Sequence, residues 1–210
     1  MKLERMIILG AGHVGLNVLR ALEKAGLKTV VIDKDSKVCE SIASSTEALV
    51  INNDFTNPDV LDELELSERD CVFAVCGSEE AVFLAGTYAK HSGAGKVVAL
   101  VKNPAHAAVL KKIGIGAVVP EIVVAQQLAN EVATPTIYKL FSPESGLDLF
   151  EATVSRRTNG KTVEEIERDK DFKVIAVYDG KEFALSAPKK QLNEDDRLVL
   201  IGKGKHKKID

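Results

Sequence analysis

The chain has 210 residues, a hydrophobic content of 45% and a net charge of −3. This length allows one large domain or two modest ones, and the apolar content is enough to build a core. The slight negative charge and the 5% aromatic content, without Trp, argue against nucleic acid as a partner. The three cysteines form no CxxC pair and the N-terminus lacks the pattern of a signal peptide or membrane span, so we expect a cytoplasmic protein with reduced thiols.

Short β-branched runs alternate with amphipathic stretches over the first two thirds of the chain. Strands are predicted in RMIILGAG, KTVVIDKD, EALVINND, DCVFAVCG, KVVALVKN and AVVPE. Helices are predicted after each of them, from about Val14 to Ala25, then in SKVCESIASS, NPDVLDELEL, residues 79–91, PAHAAVLKKIG and IVVAQQLANEVATP. Strands this apolar are buried on both faces, so the pattern predicts an α/β fold, a doubly wound parallel Rossmann sheet of order 3-2-1-4-5-6.

Individual residues mark where several of these helices begin or end. Gly26 is placed to end the first helix. Ser36 and Ser78 are predicted N-caps because a side-chain hydroxyl can accept a free backbone N–H. Asn57 is a further predicted cap, followed by Pro58 at the first helical position.

The composition changes after Thr134. We predict a Rossmann domain over residues 1–134, a linker or crossover over 135–146, and a small α+β domain over 147–210. The last contains strands in LDLFEATVSR, FKVIAVYDGKEFALS and DRLVLIGKG and a helix in GKTVEEIER, with a two-residue hairpin turn at Asp179-Gly180. A domain this small is expected to pack on a copy of itself.

A glycine motif lies between the first strand and the first helix. Gly10, Gly12 and Gly15 form GxGxxG, in which the three glycines permit a tight turn, the approach of a pyrophosphate and close helix packing, respectively. The phosphates would meet free N–H groups at the positive end of the helix dipole. Asp33 ends the next strand, where an acid holds ribose hydroxyls and repels the 2′-phosphate of NADP. The sequence therefore predicts nucleotide binding.

Several neighbouring residues have two readings from sequence alone. His13 either contacts a phosphate or is solvated at the N-terminus of the helix. Asp35 is expected to be a solvated turn residue, with ribose contact as the alternative. Asp54 either faces the adenosine crevice or forms an Asx-turn or cap. Gly77 allows close backbone approach after the fourth strand.

No catalytic constellation accompanies the glycine motif. His91 and His106 lie on predicted helices without partner spacing and are expected at the surface, and no metal motif, GxSxG or P-loop is present. We therefore expect a ligand sensor and not an enzyme, with an NAD-dependent oxidoreductase as the alternative. A redox-sensing transcription regulator would need a basic helix-turn-helix, which the sequence lacks.

The arrangement resembles the regulator-of-potassium-conductance family, also called RCK or KTN, and in particular its Trk-type potassium-uptake regulatory subunits. The resemblance covers nearly the whole chain. It rests on MIILGAGHVGLNVLRALEKAGLKTVVIDKD, VINNDFTNPDVLDELELSERDCVFAVCGSEE and KNPAHAAVLKKIGIGAVVPEIVVAQQLANEV, and on NGKTVEEI, IAVYDGKEF and DDRLVLIG in a C-terminal regulatory domain.

The resemblance implies a cytoplasmic homodimer or larger ring, up to a tetramer of dimers, that gates a Trk- or Ktr-type membrane transporter or channel. Such subunits bind NAD, NADH, ATP, ADP or AMP without consuming them, and some use the position of Glu121 in cation or inter-subunit contacts. Carried over by position, Asp54 and Phe55 lie near adenine, Cys76 lines the crevice, and Glu121 is the PE-motif acid. The implied ligand-binding residues are Gly10, Gly12, His13, Val14, Gly15, Asp33, Lys34, Asp54, Phe55, Cys76, Gly77 and Glu121.

Two positions depart from the family pattern, and one helix has surplus apolar residues. Val82 and Leu100 stand where many relatives carry Asn and Arg, which favours a mononucleotide or a dinucleotide held loosely at its nicotinamide end. The helix around Leu128 has apolar residues on more than one face. It is expected either to be shared between subunits or to be buried within its own lobe.

Overall fold

The computed structural model describes residues 3–140, 145–168, 170–185, 188 and 190–203. The chain divides into two compact units, Met1–Gln126 and Gln127–Asp210. The division falls inside the sixth helix, α6 (Pro120–Ala133), which ends just before Pro135 as predicted. Whether residues 1–134 and 147–210 are the functional domains stays a prediction.

The first unit is built on a six-stranded parallel sheet. Its strand order is β3-β2-β1-β4-β5-β6, which confirms the predicted doubly wound order. Along β1, Met6, Ile7, Ile8 and Leu9 are all buried, because helices cover both faces of the sheet. The strands are β1 (Arg5–Leu9), β2 (Lys28–Asp33), β3 (Leu49–Asn52), β4 (Asp70–Ala74), β5 (Lys96–Leu100) and β6 (Gly116–Val118).

Helices pack on the two faces of this sheet. Ile7 lies in one apolar cluster with residues of the third to fifth helices, and Ile8 lies in the other with Leu19 and Ile42 of the first two. This alternation follows from the period of two along a strand. The helices are α1 (His13–Lys24), α2 (Ser36–Ser45), α3 (Pro58–Asp62), α4 (Glu79–His91) and α5 (Pro104–Lys112).

The helix ends follow the predicted signals with one exception. Gly26, with φ +69°, follows the end of α1, Asn57 caps α3 before Pro58, and Ser78 caps α4. The prediction that Ser36 caps α2 is wrong, because the cap is the preceding residue. The carboxylate of Asp35 accepts the backbone N–H groups of residues 37 and 38, so its charge stabilises the helix N-terminus.

The second unit carries a four-stranded antiparallel sheet of order β7-β10-β8-β9. Its elements are α7 (Pro135–Leu140), β7 (Asp148–Thr153), α8 (Val163–Glu167), β8 (Phe172–Tyr178), β9 (Phe183–Leu185) and β10 (Arg197–Gly202). α7 lies in the segment predicted as a linker or crossover, whose residues 141–144 are outside the described part of the chain. The β8–β9 hairpin forms where it was predicted, with Gly180 at φ +92°. The predicted two-residue turn at Asp179-Gly180 is wrong, because the four residues 179–182 join the strands.

Among the described residues, no helix combines the length and the apolar character that crossing a bilayer requires.

Candidate functional site

The glycine turn between β1 and α1 needs glycine for structural reasons at two of its three positions. Gly10 has φ +100°, and a Cβ there would lie 2.7 Å from the Cβ of Cys76. A Cβ on Gly15 would overlap the carbonyl oxygen of Gly10, so only glycine lets α1 pack this close to the turn. A Cβ on Gly12 would meet nothing within 4 Å, and its φ is −65°. Among the described residues no steric contact requires glycine at position 12, and the space beside it is open to a ligand.

The N-terminus of α1 lacks the cap that its neighbours have. Side chains cap α2, α3, α4 and α5, but the N-cap of α1 is Gly12, which makes no side-chain hydrogen bond. The first turn of α1 also contains no acidic residue. The backbone N–H groups of a first turn have no partner within their helix, so this end is open to an anion.

Asp33 holds the turn from the end of β2. Its Oδ2 accepts the backbone N–H of Ala11 at 2.6 Å, and its Oδ1 accepts the N–H of Asp35 at 2.9 Å. The carboxylate is half-buried and lies beside the turn, as the motif requires. Each carboxylate oxygen can accept more than one hydrogen bond, so Asp33 retains capacity for a ribose hydroxyl.

A hollow of about 310 Å³ opens at the carboxyl ends of β1, β4 and β5. This is the edge at which open α/β sheets bind ligands. Burial raises the pKa of the Cys76 thiol, so that wall of the hollow is uncharged at neutral pH. The lining residues are Gly12, His13, Val14, Val75, Cys76, Gly77, Glu79, Leu100, Val101, Lys102, Pro120 and Glu121.

The remaining residues implied by the resemblance lie outside the hollow's lining. Asp54 accepts both the N–H and the hydroxyl of Thr56, which lower the pKa of its carboxyl group and confirm the Asx-turn alternative. Phe55 is buried in the apolar cluster that contains Ile7. Lys34 is exposed next to Asp33. Their predicted contacts with a nucleotide remain untested.

The two departures from the family pattern have apolar surroundings. Val82 is fully buried in the core beneath α4. Leu100 packs against the cluster that contains Ile8 and also lines the hollow. The hollow therefore has an aliphatic wall at the end of β5, where an arginine would supply a charged donor.

Sequence reasoning missed a polar link at the rim of the hollow. Glu79 Oε1 lies 2.8 Å from Nδ1 of His106 and accepts the backbone N–H of Asn103. His106 is exposed as expected, and the structure adds Glu79 as its partner. The predicted strand order places the loops after β4 and β5 at the same end of the sheet, but residue spacing does not show which of their side chains meet.

An ion pair that was also not predicted from the sequence lies at the opposite end of the sheet, where β1 and β4 begin. Arg5 donates to both carboxylate oxygens of Asp70, at 2.8 and 2.9 Å, and to the carbonyl of Leu64. Burial opposes ionisation of Asp70, but the hydrogen bonds from Arg5 and Ser67 prevail and lower its pKa. An open hollow of about 1020 Å³ borders this pair, away from the glycine turn.

Within the described ranges, no three His, Cys, Asp or Glu side chains lie close enough together to hold a metal ion.

The first unit matches a known domain family. The model of the TrkA-N domain family matches residues 6–121, which is more than half of the chain. A Trk system potassium uptake protein TrkA homolog of Methanothermobacter thermautotrophicus is 26% identical over 201 residues, covering 94% of this chain and 93% of the relative. A homolog of the same name from Pyrococcus abyssi is 29% identical over 191 residues, covering 84% and 82%.

Solved structures share the fold of both units. The crystal structure of the GsuK RCK domain has a TM-score of 0.53 at 19% identity and covers 96% of this chain and 44% of its own. A GsuK channel bound to NAD has a TM-score of 0.52 at 19% identity, covering 96% and 36%. GsuK bound to ADP has a TM-score of 0.53 at 19% identity, covering 63% and 35%. This chain thus spans less than half the length of these structures, and the likeness concerns the fold.

Proposed function

The chain belongs to the TrkA-N domain family, and from that membership we propose that it is a nucleotide-sensing regulatory subunit of a membrane potassium transporter or channel. The relatives that span nearly the same length are Trk system potassium uptake proteins by name. In this proposal the protein acts at the cytoplasmic face of the membrane, bound to a Trk- or Ktr-type membrane subunit.

The observation that carries the proposal is the N-terminus of α1, which has no side-chain cap and lies beside the open space at Gly12. Gly12 leaves room where a side chain would fit, and the free N–H groups of the first turn supply donors for a phosphate. We propose that the ligand is NAD, NADH or an adenine nucleotide, with its phosphates at Gly12 and His13 and its ribose at Asp33. Like folds have been solved with NAD and with ADP.

The bound nucleotide regulates and is not consumed. The wall of the hollow at Leu100 is aliphatic, which suits packing against a ring or ribose better than an acid–base step. A ligand shifts a conformational equilibrium only by its difference in affinity for the two states. We therefore expect the nucleotide to bind one arrangement of the assembled subunits more tightly, and that arrangement to set potassium flux.

Titration calorimetry with NAD, NADH, ATP, ADP and AMP tests the ligand assignment. We expect at least one of them to bind the wild-type protein with a Kd below about 1 mM, and Asp33→Ala to weaken that binding. Asn52→Ala is a matched control, because Asn52 donates to the backbone carbonyl of Asp33 at the end of β3 without touching its carboxylate. If none of the five nucleotides binds, the proposal that this protein senses a nucleotide is wrong.

The exposed surface of α6 supports assembly through this helix. Ile122, Val123 and Val124 are each 55% exposed in the single chain, and Leu128 and Val132 are 62% and 83% exposed. None of the α6 residues is buried. A helix whose exposed apolar residues occupy more than one face needs a covering surface. We propose that a second copy supplies it, giving a homodimer that can extend to a ring.

Co-purification with a Trk-type membrane subunit tests the partner assignment. We expect a complex between full-length protein and the membrane subunit in the presence of the nucleotide that calorimetry identifies. Absence of the complex with every nucleotide would contradict the transport role while leaving the nucleotide site in place.

A further inference from the structure

A single carboxylate oxygen at the rim of the hollow joins the two helices that begin there. Glu79 Oε1 lies 2.8 Å from Nδ1 of His106 and 3.3 Å from the backbone nitrogen of Asn103. Glu79 is the first residue of α4, and it lines the same 310 Å³ hollow as Gly12 and His13. Its negative charge therefore borders the space in which the phosphates of a nucleotide are proposed to lie.

Whether the negative charge of Glu79 is neutralised depends on the protonation state of His106. A neutral imidazole with hydrogen on Nδ1 donates to the carboxylate and leaves the pair with a charge of −1, whereas a protonated imidazole makes the pair neutral. His106 is 51% exposed and so exchanges protons with solvent. The hydrogen bond from His106 is the main cause that lowers the pKa of Glu79, so the carboxylate stays ionised in neutral solution.

Other charged groups face the same space. Lys102 and Glu121 line the hollow, and Glu80 follows Glu79 on α4. Acidic side chains and lysine keep their charge between about pH 5.5 and pH 8, while histidine changes its charge there. His13 also lines the hollow at the glycine turn, so the proteins that an experiment compares must share it.

We propose that the Glu79–His106 pair makes the affinity of the hollow for phosphate-bearing nucleotides depend on pH, with acid tightening the binding. The proposal rests on the nucleotide site proposed above. When His106 is neutral, Glu79 repels the phosphates, and protonation of His106 largely cancels this repulsion. A hollow of about 310 Å³ is about 7 Å across. For unit charges at that separation and an effective dielectric constant of about 40–80, Coulomb's law predicts a change in Kd of about threefold to eightfold.

The test is calorimetry with ADP and with NAD at about pH 5.5 and about pH 8, on the wild-type protein and on His106→Asn. An asparagine amide nitrogen occupies nearly the position of Nδ1, so it still donates to Glu79 but cannot take up a proton. We expect the ratio of Kd at the higher pH to Kd at the lower pH to be about threefold to eightfold larger in wild type than in His106→Asn. Every other group that lines the hollow, His13 included, and the ligand itself are common to both proteins, so their effects cancel in this comparison.

Two further variants keep the test independent of any one substitution. Glu79→Gln removes the charge, so ADP should bind it about threefold to eightfold more tightly than wild type at about pH 8, with a flatter pH dependence. His91→Asn changes an exposed histidine in the last turn of α4 and should retain the wild-type pH dependence.

The outcomes separate this proposal from the nucleotide site itself. Tight binding in which His106→Asn or Glu79→Gln keeps the full wild-type pH dependence overturns the role of the pair and leaves the site standing. Failure of ADP, NAD and the other nucleotides to bind at either pH overturns the site and the pair together.

Discussion

Replacing Gly12 with valine should abolish nucleotide binding and leave the fold intact. The Cβ would meet nothing within 4 Å, and the backbone, at φ −65° and ψ −171°, suits a β-branched residue. Valine is a poorer N-cap than glycine, so we expect a loss of about 1 kcal/mol in the free energy of unfolding. The side chain would fill the space at the first turn of α1. Losing two hydrogen bonds to a charged phosphate costs about 3 kcal/mol or more, which weakens binding at least about 100-fold.

Calorimetry measures the loss of binding, and urea denaturation measures the change in stability. Gly15→Val is the matched control, because the same side chain three residues later would overlap the carbonyl oxygen of Gly10. That variant should be destabilised by several times more than Gly12→Val. Wild-type affinity in folded Gly12→Val would refute the placement of the phosphates, and unfolding of Gly12→Val would refute the claim that this position is open.

Two other predictions concern stability and assembly. Asp70→Asn should cost about 2–3 kcal/mol of unfolding free energy at neutral pH, at the lower end for a broken buried pair because Arg5 is 35% exposed. Because folding lowers the pKa of Asp70, its contribution is present above the unfolded pKa and is lost as the pH falls through the folded value, so urea denaturation should show the difference from wild type shrinking in acid. Leu128→Glu should convert the assembly to a monomer by light scattering, whereas Leu49→Glu, at an equally exposed leucine on β3, should not; an unchanged mass for Leu128→Glu would contradict assembly through α6.

Local patterns in the sequence were enough to predict the architecture of the first unit. The β-branched strands and the spacing of the glycines depend on neighbours in sequence, and so do the caps at Asn57 and Ser78. The prediction of the α2 cap was wrong by one residue. Asp35 and Ser36 are both residue types that cap helices well, and only the path of the backbone decides which of them does so. The segment that forms α7 was predicted to be a linker because it contains prolines. Proline also suits the first turn of a helix, and α7 begins at Pro135.

The polar contacts between residues far apart in sequence could not be predicted in the same way. Arg5 and Asp70 are 65 residues apart and meet because β1 and β4 are neighbours in the sheet. Glu79 and His106 are 27 residues apart and meet because β4 and β5 are neighbours. Such pairs depend on strand order and on loop geometry, which residue spacing along the chain does not contain.

The most direct test of the account is potassium flux through a Trk-type membrane subunit reconstituted in liposomes with this protein. We expect addition of the nucleotide identified by calorimetry to change the flux with wild-type protein. Gly12→Val should form the same complex and give a flux that the nucleotide does not alter. A wild-type complex that binds the nucleotide while the flux stays constant would contradict the central claim that the glycine turn senses a nucleotide in order to regulate potassium transport.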